Sequence, residues 1–226
     1  MDLSFAALKL AKFSEKPGKV HFEGLIHLLR YIRDNKTLGL KYYADMNDAP
    51  VTDLFRQASI KTDNPLMGFS DSSWKDFPDT SRSTGKYIIF YQGGPIYHGT
   101  HVPGPVAKSI AESEYNAACT AGMALAYFRM LIHELLNKDT YIVPDEVPLF
   151  FLDSKSAMFI AKNVKDTTHT RHIARRMHSV RNGEECKMRK IYWCEGGLQL
   201  EDIGTKNVGE PDLTPRMKYI MVRLEN

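Results

Sequence analysis

The chain has few cysteines and no long apolar run, and both absences limit what it can be. Its three cysteines, Cys119, Cys186 and Cys194, include no Cys-x-x-Cys pair, so neither a disulfide framework nor a zinc knuckle is predicted. No run of eighteen apolar residues occurs, and the N-terminus has no basic stretch leading into an apolar one. Neither a membrane span nor a signal peptide is therefore predicted, and a reducing, intracellular setting is favoured.

A strong overall charge is also missing, since the net charge of the 226 residues is only +3. The charge is nevertheless concentrated in one place. Residues 160–190 contain nine Lys and Arg against three Asp and Glu, an excess of six positive charges. Such a stretch indicates a surface for a polyanion such as nucleic acid, although a solvated helix face has the same composition.

Hydrophobic periodicity and turn residues predict an α/β layer fold with the element order βββαβαβα, in which the three consecutive strands form an antiparallel meander, after an N-terminal helical segment. We expect Trp74 and Trp193 in its core. The predicted domains are a helical segment with a connector (1–62), an α/β domain (63–210) and a C-terminal tail (211–226). The predicted helices are 3–13, 18–35, 107–136, 154–162, 170–182 and 200–206, and the predicted strands are 38–43, 66–70, 87–91, 95–99, 148–152 and 187–194, with a connector over 45–65.

Four acidic residues stand out because each belongs to a different predicted element. Asp71 and Asp153 follow predicted strands, Glu114 lies on the helix face that carries Ala118 and Ala121, and Asp202 begins the last predicted helix. Carboxylates gathered from separate elements are what a hydrolytic nuclease needs to hold a pair of divalent metal ions. Each acid alone also fits a surface or helix-start position, so the hypothesis depends on their arrangement.

At these residues the chain resembles the ribonuclease H domain that follows reverse transcriptase in copia-type retrotransposon polyproteins, over about residues 66–206. That family carries the motifs Ser-Asp-Ala-Asp-Trp, Arg-Ser-Thr-Ser-Gly-Tyr, Ser-Thr-Glu-Ala-Glu-Tyr, Cys-Asp-Asn-x-Ser-Ala, Arg-x-Lys-His-Ile and Leu-Ala-Asp-x-x-Thr-Lys. The corresponding segments here are Ser70–Trp74, Arg82–Tyr87, Ile110–Tyr115, Leu152–Ala157, Thr170–Ile173 and Leu200–Lys206. The chain departs from the motifs at Ser73, Lys86, Leu152, Ser154 and Glu201, and none of these departures removes an expected metal ligand.

The resemblance implies a ribonuclease H-like α/β fold, with a mixed sheet of three antiparallel strands plus later parallel strands flanked by helices. It also implies cleavage of the RNA strand of RNA/DNA hybrids. It implies that Asp71, Glu114, Asp153 and Asp202 are the catalytic residues and hold two Mg²⁺ ions, for which Mn²⁺ can substitute. The residues expected to contact nucleic acid are Ser72, Ser73, Ser154, Arg171, His172 and Arg175.

The resemblance also implies partners and a location. The expected partners are the hybrid and the polymerase domain of the same polyprotein, because residues 1–43 resemble the C-terminal end of that polymerase. The implied location is intracellular and cytoplasmic, including virus-like particles, without a membrane. Two alternatives stay open: a non-catalytic hybrid-binding or connector module of a decayed polyprotein, and an integrase-type nuclease that uses three acids and cuts DNA.

Overall fold

The computed structural model describes residues 2–57, 60, 64–77, 79–104, 106–136, 147–155, 158–159, 174–194, 200, 217 and 219–223. The predicted helix over 200–206 and most of the one over 154–162 lie outside these residues. The helices are α1 (Ser4–Ala11), α2 (Lys19–Asp34), α3 (Val51–Gln57), α4 (Ile110–Leu136) and α5 (Ala174–Glu185), with a 3-10 turn at Met46–Asp48. The strands are β1 (Leu38–Leu40), β2 (Leu66–Phe77), β3 (Arg82–Tyr91), β4 (Gly94–His101), β5 (Leu149–Leu152), β6 (Lys190–Trp193) and β7 (Met221–Arg223).

Five strands form the central sheet, in the order β4-β3-β2-β5-β6. The first three strands along the chain, β2, β3 and β4, pair antiparallel, whereas β5 and then β6 join the other side of β2 in parallel. This arrangement confirms the predicted mixed sheet of three antiparallel strands followed by parallel ones. It also places β2 at the centre, with a neighbour of each type.

The first hairpin of the sheet is longer than the sequence predicts. Polar residues after Asp71 were expected to form a loop, but β2 continues to Phe77 and pairs with the early part of β3. The extra strand residues bond to their surroundings: Thr84 Oγ1 donates to Asp76 Oδ2 at 2.7 Å, and Lys9 Nζ of α1 lies 3.1 Å from the same carboxylate. The predicted end of the strand at Ser70 is therefore wrong.

Helix α4 covers one face of the sheet and positions its N-terminal turn beside β2. Its small residues Ala117, Ala118 and Ala121 are fully buried, and Leu125 packs in the same cluster as Ile89 and Phe150 of the strands. The small side chains allow the helix to approach the sheet closely, as their spacing predicts. Although α4 is 27 residues long, no helix in the described part of the chain is long and apolar enough to cross a membrane.

The opposite face of the sheet is covered partly by the segment predicted to be a connector. That segment contains α3, whose Val51 and Phe55 are buried in one cluster with Phe69 and Phe151. The rings of Phe55 and Phe151 stack with centroids 5.4 Å apart. Because both faces of β5 are buried, its four residues are all apolar.

The two ends of the described chain also meet. Strand β1 pairs antiparallel with β7, with Gly39 opposite Val222, in a separate two-stranded sheet. Residues of the predicted N-terminal segment thus contact residues of the predicted C-terminal tail, and the three-part division of the chain stays a prediction.

Candidate metal centre

Asp71 and Asp153 occupy matching positions on two neighbouring parallel strands. The pairing of β2 with β5 ends at Ser70 opposite Leu152, and each acid is the next residue of its strand's chain. The sequence predicted Asp71 at the end of β2. The structure instead places Asp71 within β2, at the point where the parallel partner strand β5 ends. Since parallel strands run in the same direction, both carboxylates emerge at one edge of the β2-β5 pair.

Glu114 reaches the same edge from the first turns of α4. The helix start is fixed by two side-chain hydrogen bonds: Ser109 Oγ accepts from the Glu112 N–H at 3.1 Å, and Glu112 Oε2 accepts from the N–H of Lys108, the residue before Ser109, at 2.7 Å. The carboxylate of Glu112 is therefore bound at the start of the helix, two residues before Glu114. Glu114 itself is buried and lies one and two turns before Ala118 and Ala121, on the face that packs on the sheet.

The three carboxylates converge. One oxygen from each of Asp71, Glu114 and Asp153 lies within 4.8 Å of the other two. Asp71 is 1% exposed and Glu114 is 7% exposed, whereas Asp153 is half-buried. Among the residues that the structure describes, no other group of three or more His, Cys, Asp or Glu side chains is arranged to hold a metal ion.

The chemistry of this donor set fits a hard divalent cation. Unit negative charges about 5 Å apart repel one another by about 1 kcal/mol even in the dielectric of water, and burial increases that repulsion. A cation offsets it, and Mg²⁺ and Mn²⁺ prefer carboxylate oxygens and keep several waters of their own. The predicted meeting of carboxylates from separate elements is thus present for three of the four acids, and Asp202 lies outside the described residues.

The residues predicted to contact nucleic acid differ in their exposure, and only some of them are described by the structure. Ser73 and Ser154 are half-buried near the cluster, whereas Ser72 is only 7% exposed. Arg171 and His172 lie outside the described residues, as does the side chain of Arg175.

In the described part of the basic stretch, residues 174–190, three arginines are buried or bonded within the protein. Arg181 and Arg189 are buried, and Arg176 donates to Asn116 Oδ1 of α4. Arg189 donates to the backbone carbonyls of Ser179 and Val180 at 3.0 and 3.3 Å, and burial lowers the pKa of its guanidinium. Arg176 links α5 to α4, and Arg189, which lies just before β6 and beside Gly122 of α4, bonds to α5, so these two arginines contribute to the fold that supports Glu114.

Two features beside the acids were missed. Trp193 was expected in the core, but it is 37% exposed; its indole N–H donates to the Asp153 carbonyl at 2.9 Å, and Lys155 Nζ lies 4.4 Å from the ring centroid. The second is Lys86, which is fully buried and directly opposite Asp71 on β3. The available signal was its place in a motif where the family that the sequence resembles has glycine.

Known proteins resemble the chain over most of its length. No protein-family model matches it. It is 28% identical over 219 residues, or 96% of the chain, to the retrovirus-related Pol polyprotein from transposon TNT 1-94 of Nicotiana tabacum. It is 24% identical over 207 residues, or 91%, to the Pol polyprotein from transposon RE1 of Arabidopsis thaliana. The chain is related to retrotransposon Pol polyproteins.

The predicted resemblance to copia-type polyproteins is confirmed by these relatives. The chain spans 14% and 13% of the length of the two Pol polyproteins. Among solved structures, RNase H1 from Halobacterium salinarum NRC-1 matches 60% of this chain and 89% of its own, with 13% identity and a TM-score of 0.43. Those values are too low to assign the role of any residue by comparison.

Proposed function

We propose that the chain is a divalent-metal-dependent ribonuclease H that hydrolyses the RNA strand of RNA/DNA hybrids. The observation that carries this proposal is the convergence of Asp71, Glu114 and Asp153 within 4.8 Å. The similarity to retrovirus-related Pol polyproteins supports the same class of activity, because the ribonuclease H domain that the sequence resembles belongs to polyproteins of this kind. The four acids in sequence motifs typical of that nuclease, including Asp202, give it further support.

The roles of the three described acids follow from their surroundings. Asp71 and Glu114 are buried and held by a central strand and a capped helix, so their carboxylates are fixed before any ligand arrives. Asp153 is half-buried at the rim, where substrate can approach. When bound, a pair of Mg²⁺ ions would activate the attacking water and stabilise the leaving oxygen. The products would carry a 3′-hydroxyl and a 5′-phosphate.

The rim of the site offers groups for the substrate. Ser73 and Ser154 can donate to phosphate oxygens or to the 2′-hydroxyl that distinguishes RNA from DNA. Lys155 is exposed next to Asp153 and supplies a positive charge for the phosphate backbone. The polymerase domain of the same polyprotein is the proposed protein partner, and the proposed location is intracellular.

The test is cleavage of a labelled RNA/DNA hybrid by the purified chain, with duplex RNA and duplex DNA compared under the same conditions. We expect Mg²⁺- or Mn²⁺-dependent cutting of the RNA strand of the hybrid only. Asp71→Asn should abolish the activity, whereas Asp53→Asn, which removes an acid 57% exposed on α3, should leave it unchanged. Folded protein that cuts no hybrid at any concentration of either ion would contradict the proposal.

Two other results would replace the proposal with an alternative. Cutting of duplex DNA would favour the integrase-type nuclease. Salt-sensitive binding of the hybrid without turnover would favour the non-catalytic module. The observation that favours this second candidate is the buried Lys86, which lies opposite Asp71 on β3 at a motif position where the nuclease family that the sequence resembles has glycine.

A further inference from the structure

Trp193 is a large aromatic residue that is exposed at the edge of the central sheet. It is the last residue of β6, the outermost strand on the parallel side. Its exposed fraction is 37%, although a tryptophan ordinarily buries most of its surface. Its register partner on β5 is Leu152, the residue directly before Asp153. Trp193 therefore lies beside the point where β5 ends and the candidate metal centre begins.

Asp153 differs from the other two acids of the cluster because it lies outside a regular element. Asp71 lies within β2 and Glu114 lies within α4, so the geometry of a strand and of a helix fixes their backbones. Asp153 follows the last residue of β5 and lies at a bend of the chain. The direction of its carboxylate therefore depends on how the backbone of this bend is held.

The ring edge of Trp193 is bonded to this bend. The indole N–H donates to the backbone carbonyl of Asp153 at 2.9 Å, an ordinary length for a hydrogen bond of this type. The bond beside it belongs to the backbone of the sheet, since the Cys194 N–H donates to the Leu152 carbonyl at 2.8 Å. The paired residues of the two strands end at Leu152 and Trp193. The indole thus extends the attachment of β5 to β6 by one residue, to the acid itself.

Lys155 contacts the same ring from one face. Its Nζ lies 4.4 Å from the ring centroid, within the range of a cation–π interaction. The three residues 153–155 therefore meet Trp193 twice, at the ring edge through a carbonyl and at the ring face through an ammonium. The Ser154 carbonyl accepts from the Met158 N–H at 3.0 Å, so a helical turn follows the bend directly.

We propose that Trp193 is a positioning residue for Asp153, whose bend it fixes so that the carboxylate lies at the acid cluster before an ion binds. This inference rests on the proposed metal-dependent function and names a residue that acts on it through the backbone. Groups that orient metal ligands contribute about 10–100-fold to metal affinity, whereas one hydrogen bond between neutral groups contributes about two- to tenfold. We therefore expect loss of this bond to raise the Kd for divalent ions by about three- to tenfold.

The experiment measures Mg²⁺ and Mn²⁺ binding by calorimetry on the full chain, with Trp193→Phe compared with the wild type. Phenylalanine keeps an aromatic ring for Lys155 and loses the N–H that bonds to Asp153. We expect a Kd about three- to tenfold higher for both ions. Tyr192→Phe is the matched control, because it also removes one donor from β6, a hydroxyl bonded to the exposed Lys190. This control should bind the ions as the wild type does.

The melting temperature without ions separates positioning from a general effect on stability. A bond that only stabilises the fold would lower the melting temperature of Trp193→Phe and leave the Kd of the folded variant unchanged, which would overturn the proposal. The ion titrations are therefore made at a temperature where the variant is fully folded. If Trp193→Phe does not fold, replacement of Trp193 by benzothienylalanine, which keeps the shape of the indole and has sulfur in place of the N–H, decides the question by the same measurements.

Hybrid cleavage separates positioning from direct contact with the substrate. A ring that acts by contacting the hybrid would, on substitution, raise the KM for the hybrid at saturating Mg²⁺ and leave the Kd for the ion unchanged. That result would overturn the proposal, and so would an absence of ion binding in the wild type.

The outcome is separable from that of the proposed function. Weaker ion binding by Trp193→Phe, together with no hybrid cleavage by the wild type, would keep this inference and reject the ribonuclease activity. Hybrid cleavage by the wild type with an unchanged Kd in Trp193→Phe would do the reverse.

Discussion

Replacing Glu114 by glutamine should remove most of the stabilisation that Mg²⁺ gives to the protein, while replacing Glu112 should not. An ion among the three carboxylates is nearer than 4.8 Å to each of them, because that distance is the largest separation of their oxygens. Even at 4.8 Å and in the dielectric of water, loss of one carboxylate charge weakens the attraction between the site and a divalent ion by about 1.7 kcal/mol. The Kd for Mg²⁺ should therefore rise at least about twentyfold in Glu114→Gln.

The assay is the melting temperature with and without Mg²⁺, at an ion concentration about one hundred times the wild-type Kd. Binding to the folded state alone then adds about 2.7 kcal/mol to the wild type, which is about 5–10 °C for a chain of this length. A twentyfold weaker site gains only about 1 kcal/mol, or about 2–4 °C.

Glu112→Gln is the matched control, two residues away on the same helix. Its carboxylate accepts from the Lys108 N–H, and the amide oxygen of glutamine can accept the same bond, so the variant should lose less than about 1 kcal/mol of stability without ions and keep the full rise in melting temperature with Mg²⁺. A full Mg²⁺-dependent rise in Glu114→Gln, or its loss in Glu112→Gln, would refute the assignment of Glu114 to the site.

Two further predictions concern the fold that supports the site. Gly122→Ala should destabilise the protein by about 1–3 kcal/mol in urea unfolding, because the new Cβ would lie 2.5 Å from Nη1 of the buried Arg189. Gly24→Ala, whose Cβ would make only ordinary van der Waals contacts, should raise the free energy of unfolding by up to about 1 kcal/mol. Equal changes in the two variants would contradict the close packing of Arg189 on Gly122. Burial lowers the pKa of His101 below 6.5, so the unfolded chain binds the proton first and stability falls as the pH drops below about 6.5. His101→Gln should reduce this loss of stability at low pH. An unchanged dependence of stability on pH in the variant would contradict the prediction.

Local patterns in the sequence were sufficient for the elements that surround the site. The continuous apolar run at β5 predicted a strand buried on both faces, and the small residues of α4 predicted a helix packed closely on the sheet. Both features follow from periodicity within one element, so a single sequence contains the required information. The meeting of three of the four predicted acids needs β2, β5 and α4 to pack together, and for these acids the resemblance to a known family supplied what local patterns do not contain.

Features that depend on distant contacts were not predictable in this way. The pairing of β1 with β7 joins residues such as Gly39 and Val222, and no local pattern in these three-residue strands encodes it. The extension of β2 past Asp71 contains polar residues typical of a loop, and pairing with β3 overrides that preference. A lysine within a strand, such as Lys86, is ordinarily expected at the surface.

The most direct test of the metal centre is the position of Mn²⁺ in crystals of the protein soaked in that ion, located by its anomalous scattering. We predict a Mn²⁺ peak within coordination distance of carboxylate oxygens of Asp71, Glu114 and Asp153. Saturating Mn²⁺ that leaves no peak between these three side chains would contradict the central claim, wherever else in the crystal the ion is found.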